Sequence, residues 1–118
     1  MGDFRKLLVW QKAKEMAVEI YRLADNAPFA KDFRLKDQLR SAAVSISANI
    51  AEGDELNTDK QSIRHFYIAK GSTAELITLL IIASEIGYIT DEVADTYVQE
   101  CEYISRMLNK LIKARSTL

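Results

Sequence analysis

Between Gln38 and Gly53 the chain carries a pattern that few folds can accommodate. Placed on a helix, Leu35, Leu39, Ala42, Ile46 and Ile50 form one apolar stripe. A narrow seam of Gln38, Ser41, Ser45, Asn49 and Glu52 runs beside it. Beyond the seam the surface turns small and apolar again, with Val44, Ala48 and Ala51. Only Lys36, Arg40, Ser47 and Asp54 point in a direction that reads as solvated. A surface helix of a monomer divides into one apolar and one polar face. This one reads as covered over most of its circumference, with polar groups inside.

Three further helices follow from the same periodicity. Val9 to about Asp25 puts Trp10, Ala13, Ala17, Ile20, Tyr21 and Ala24 on one face, and Lys12, Glu15, Glu19 and Arg22 on the other. Pro28 closes that segment, Phe29 to Phe33 reads as loop, and Asp32 is placed to cap the second helix. That helix spans about Phe33 to Glu52 and is expected to end on Gly53 as a left-handed cap, with Asp54 to Asn57 as the link. Thr58 followed by Gln61 fits a capping box that opens a third helix, which runs to Ile86 and stops at Gly87. Its stretch from Leu76 to Ala83 places apolar side chains all round the axis. Thr90, with Asp91 and Glu92 in the first turn, opens the fourth; there Val93, Tyr97, Cys101, Ile104, Leu108, Leu111 and Ile112 share a face. Four glycines and one proline in 118 residues leave little chain for turns. The expected fold is all-α, with residues 1–118 forming one domain, an antiparallel up-down-up-down four-helix bundle.

Helices one and four are two-faced, whereas two and three are not. A four-helix core uses one stripe from each member, so the surplus on Val44, Ala48, Ala51, Ile77, Leu80 and Ile81 asks for another copy of the chain, a homo-oligomer, as its cover. The plainer alternative is scattered exposed apolar side chains. Glu75 shares a face with Ile68, Gly71, Ser72 and Leu79 and is expected to point inward, level with Gln38, Ser41 and Ser45 across the link. Gln38, Ser41, Ser45, Asn49 and Glu75 thus read as a buried polar layer. Such a layer either fixes helix pairing or encloses a catalytic or ligand-binding carboxylate. No second carboxylate, histidine or metal set accompanies Glu75, which favours the first.

Other candidates carry less. Gly71 in mid-helix suggests the close approach of another helix. His65, the single histidine, cannot supply the paired Glu-x-x-His of di-metal bundles. Lys70-Gly71-Ser72-Thr73 has the wrong order and setting for a phosphate loop. Cys101 sits on an apolar face, where thiols are inert packing. No catalytic residue, cofactor or metal ligand is assigned, and the chain reads as non-enzymatic.

A net charge of −1 provides no global pull toward nucleic acid. Charge is nevertheless uneven: Asp91, Glu92, Asp95, Glu100 and Glu102 make one end of helix four acidic, while Arg106, Lys110 and Lys113 make the other basic. The bundle topology brings Arg5 and Lys6 to that basic end. Such a rim suits either nucleic-acid phosphates or the negative end of a helix dipole. No leader sequence is read, no apolar run approaches the roughly 20 residues that span a bilayer, and one cysteine fits a reducing compartment. The expected setting is the cytoplasm, without a membrane partner.

Leu39 to Gly53, with its run Ser-Ile-x-x-Asn-Ile-Ala-Glu-Gly, closely resembles the signature of the four-helix-bundle proteins first noted in intervening sequences of bacterial 23S ribosomal RNA genes, the S23 family. Leu8-Val9-Trp10-Gln11-Lys12-Ala13, Ala69-Lys70-Gly71-Ser72 with Glu75, and Ile82-Ala83 followed by Gly87-Tyr88-Ile89 also match. Departures are Ser47, where the family usually carries proline, and Arg34, where it often carries glycine. The resemblance implies an all-helical bundle, homopentamers, and no established enzymatic activity. It also implies, for one branch, a role as accessory protein to retroelement reverse transcriptases, binding nucleic acid through strongly basic surfaces. The chain is therefore expected to be a self-associating scaffold or accessory protein, with a nucleic-acid-binding accessory using the basic rim as the alternative.

Overall fold

Three of the four helices begin where a side chain can take up an otherwise free backbone amide. Asp32 Oδ1 accepts from the Leu35 N–H at 3.1 Å, Thr58 Oγ1 from Gln61 at 3.3 Å, and Thr90 Oγ1 from Val93 at 3.1 Å. The computed structural model describes residues 3–26, 28–56 and 58–116. Its helices are α1 (Leu8–Ala24), α2 (Phe33–Glu55), α3 (Asp59–Glu85) and α4 (Asp91–Ser116). A 3-10 turn at Phe4–Lys6 precedes α1, and Phe29–Lys31 forms another in the stretch expected as loop. No strand occurs among the described residues. Asn57, expected to end the α2–α3 link, lies outside them.

Gly87 stops α3 as its sequence position requires. Its φ is +84°, the Tyr88 N–H donates to the Ala83 carbonyl at 2.9 Å, and the Gly87 N–H to that of Ser84 at 3.0 Å. That double closure satisfies the last carbonyls of the helix. Gly53 behaves differently. It does not cap α2, which continues two residues further to Glu55. A Cβ on Gly53 would meet Phe66 Cε1 at 2.6 Å, so the missing side chain lets the Phe66 ring lie against the α2 backbone.

The helices alternate in direction and close on each other in the order α1–α2–α3–α4–α1, with α1 and α4 the most loosely packed pair. The core between them holds Met16, Ile20, Leu39, Ile46, Ile50, Phe66, Leu76, Leu80, Ile104 and Leu108, all fully enclosed. Leu80, expected on an outer face, is among them; Ile81, also expected there, is exposed on the α4 side, and Ile82 is exposed on the α2 side.

Two clasps hold the ends. Arg40, expected in solvent, donates to Asp25 Oδ1 at 2.6 Å and to the Tyr21 carbonyl at 3.2 Å, with its Cζ 4.5 Å from the Tyr21 ring centroid. Its guanidinium holds the exposed Asp25 carboxyl below the usual carboxylate range. Asp54, also expected in solvent, is buried and accepts from Arg115 Nη2 at 2.9 Å. A third tie joins Tyr88 to Asp32, whose second oxygen accepts the phenol hydrogen at 2.9 Å and pushes the Tyr88 pKa up. By length and composition alone α3 could cross a membrane. In this fold it is a core helix, its inner face covered by α2 and α4.

Candidate functional site

Along the outer groove between α2 and α3, two rows of residues at three- and four-residue spacing run side by side. On α2 they are Gln38, Ser41, Ser45, Asn49 and Glu52; on α3 they are His65, Ile68, Ser72, Glu75, Leu79 and Ile82, followed by Ile86 at the helix end. Where the rows meet at mid-length, the polar members bond across. Ser72 Oγ donates to Ser45 Oγ at 2.9 Å, and Asn49 Nδ2 donates to the Ser45 carbonyl at 2.9 Å and to its hydroxyl at 3.1 Å. With its nitrogen so engaged, Asn49 turns Oδ1 to His65 Nδ1, 3.0 Å away, so the histidine carries its proton on Nδ1. Glu52 Oε2 lies 3.3 Å from the same nitrogen. Each such bond contributes about 1 kcal/mol net. The chain Ser72–Ser45–Asn49–His65–Glu52 sets the pairing of the two helices.

Part of the expected layer is thus present, and part is not. Ser45 and Asn49 are half-buried and bonded, whereas Gln38, Ser41 and Glu75 are exposed in the single chain. The expected register set residues 38 to 41 opposite 72 to 75. Because α2 runs past Gly53, the pairing shifts by about one turn: Ser45 faces Ser72, and Gln38 shares a groove with Leu79. Glu75 consequently has no ring of donors and stays at the rim. Gly71 has nothing within 4 Å of its Cβ position, so no helix of the same chain exploits it.

Apolar side chains flank the polar chain on its outer side. Ile68 is 42% exposed, Ile82 44% and Ile86 53%; Phe33, 71% exposed at the start of α2, lies on the Val44 side of that helix. None of these four was among the expected interface residues, although the row spacing on α3 was there to be read. Of those that were, Val44, Ala48 and Ile81 are exposed, and Ala51 and Ile77 are half-buried. Val44 belongs to a separate groove with Val18 and Tyr21, between α1 and α2.

The basic residues gather at the other end of α4 from its acids, as the topology requires. Lys6, Arg106, Lys110 and Lys113 are exposed, while Arg5 is ion-paired with Asp3 at 2.9 Å. Among the described residues, no three His, Cys, Asp or Glu side chains converge on a point that could hold a metal ion. Cys101 is enclosed, its Sγ 3.7 Å from Met16 Sδ, and burial pushes its thiol up to about 12. Native protein is therefore expected to resist a thiol reagent at neutral pH and to react stoichiometrically once unfolded. The unfolded thiol ionises first as pH rises, so Cys101 should cost stability from about pH 9 toward 12. A urea titration of wild type and Cys101→Ala across that window would show the difference shrink.

What the fold and its outer face define is a small helical bundle with a bonded polar chain set in an unpartnered apolar face. The chain belongs to the family described as 23S rRNA-intervening sequence protein, whose model matches residues 5–110. A crystal structure of a protein of unknown function from the S23 ribosomal protein family of Bacteroides thetaiotaomicron superposes with a TM-score of 0.83 at 28% identity, covering 90% of this chain and 99% of that one. No match was found among curated proteins.

Proposed function

We propose that this protein is a non-enzymatic, self-associating scaffold or accessory protein of the cytoplasm. The observation that carries the reading is the row Ile68, Ile82 and Ile86 beside the Ser45–Ser72 chain on one face. Burying such side chains is worth about 25 cal/mol for each Å² of apolar surface removed from water, and the half-satisfied polar groups in the row would fix the register of a partner. A second copy is the economical cover, with five copies the number implied by the family resemblance.

Light scattering during gel filtration at micromolar concentration is expected to return a multiple of 13.4 kDa. The Ile68→Glu/Ile82→Glu variant should run near that single-chain mass with unchanged helicity. A wild-type protein already at 13.4 kDa would end the self-association reading. The nucleic-acid alternative has less support: Arg5 is already paired, and the net charge is −1.

A further inference from the structure

The face of the bundle opposite α2 and α3 has its own unused surface. Because α1 and α4 are the loosest neighbours, a groove of about 480 Å³ opens between the start of α1 and the second half of α4. Its walls are Leu8, Val9, Tyr103, Met107 and Leu111, with Lys110 at the edge. Leu8 is 50% exposed and Tyr103 38%, both large apolar groups where a solvated helix would carry charge. On α4 the row Tyr103, Met107, Leu111 is distinct from the core row Cys101, Ile104, Leu108, Ile112. Met107 and Leu111 are half-buried against the core and Tyr103 is exposed, so among the described residues the apolar surface of α4 extends past the core row toward solvent.

Charge along this half of α4 is of one sign. From Tyr103 to Ser116 α4 has no acidic residue and carries Arg106, Lys110, Lys113 and Arg115; from Asp91 to Glu102 it has five acids and no base. Arg115 is committed to Asp54, but Arg106, Lys110 and Lys113 are exposed, and Lys6 lies just before α1.

We propose that the α1–α4 groove docks an acidic amphipathic helix of a partner protein. Two antiparallel helices leave a trough into which the ridge of a third can settle. The occupant would lay apolar residues at i, i+4 and i+7 on Leu8, Tyr103, Met107 and Leu111, with Glu or Asp on its flanks toward Arg106 and Lys110. About three helical turns, roughly 16 Å, cover the stretch from Tyr103 to Ala114. The apolar floor of this shallow groove favours a helix over a nucleic-acid backbone.

The test uses a fluorescein-labelled 14-residue peptide with leucine at i, i+4, i+7 and i+11 and mostly glutamate elsewhere. Controls are a scramble of the same composition and a version with lysine for glutamate. Fluorescence anisotropy with the full chain should show saturable binding, at least tenfold tighter than to either control. Leu8→Glu and Lys110→Glu should each weaken it tenfold or more with an unchanged thermal midpoint; a glutamate at the first position of α1 suits the helix dipole, so folding is not at risk there. Equal binding of the scramble, no effect of Leu8→Glu, or no binding at all would overturn the proposal. So would anionic vesicles or a single-stranded RNA that displaced the peptide at comparable concentration. The Ile68→Glu/Ile82→Glu variant should still bind the peptide, so loss of assembly and loss of docking are read separately.

Discussion

Phe66→Ala is expected to destabilise the protein by about 3–5 kcal/mol, a large share of the 5–15 kcal/mol typical of a domain. The ring is fully enclosed, lies against the α2 backbone at Gly53, and has the Arg115 guanidinium 5.4 Å from its centroid. Its removal opens a cavity where α2, α3 and α4 meet. Gly53→Ala tests the same contact from the other side. Alanine gains about 1 kcal/mol of helix propensity over glycine. Against that stands a methyl 2.6 Å from Phe66 Cε1 and 3.1 Å from the Ser62 carbonyl, in a ring site with no slack. Overpacking of this kind costs about 1–3 kcal/mol, so the contact wins and the variant should be less stable. The Gly53→Ala/Phe66→Ala double variant should lose clearly less than the sum, because the new methyl enters space the ring has left. Urea midpoints of the four proteins give the cycle, and strict additivity would contradict the close approach.

Arg115→Ala is expected to cost about 3 kcal/mol, the lower end for a broken buried pair, since the arginine keeps water on one side. The asymmetry of burial decides this value: the Asp54 side chain is 5% exposed and that of Arg115 28%. Removing the arginine leaves an enclosed carboxylate without its cation and frees the end of α4 from the α2–α3 hairpin. Asp54→Asn in the Arg115→Ala background should recover part of the loss, because it takes away the charge that was stranded. Chemical denaturation resolves the difference. A double variant no better than Arg115→Ala would show that the arginine acts through its packing on Phe66 alone.

Much of this fold was legible in the chain, for a local reason. The caps at Asp32, Thr58 and Thr90 and the stop at Gly87 depend on groups within a few residues of each other, and all four stand where they were expected. The apolar stripe of α4 was likewise readable from spacing, and that of α1 in part: Tyr21, read onto its inner face, is exposed, and the buried Met16 was missed. Gly53 misled because glycine has two uses, a turn or a close approach, and only the position of Phe66 thirteen residues on distinguishes them. From that one difference followed the register, and from the register the failure of Glu75, Gln38 and Ser41 to form a single layer with Ser45 and Asn49. Asp54 and Arg40 looked solvated for a similar reason: their partners, Arg115 and Asp25, are distant in sequence and invisible to periodicity.

By itself, then, the amino-acid order determined four helices, most of their ends, and an apolar surplus on the middle two, because these depend on short-range geometry and composition. Which polar groups meet, which glycine yields to a ring, and which apolar residues are left outside were decided only when the helices came together. Pairing across tens of residues is a property of packed volume, and no stretch of sequence carries that volume alone.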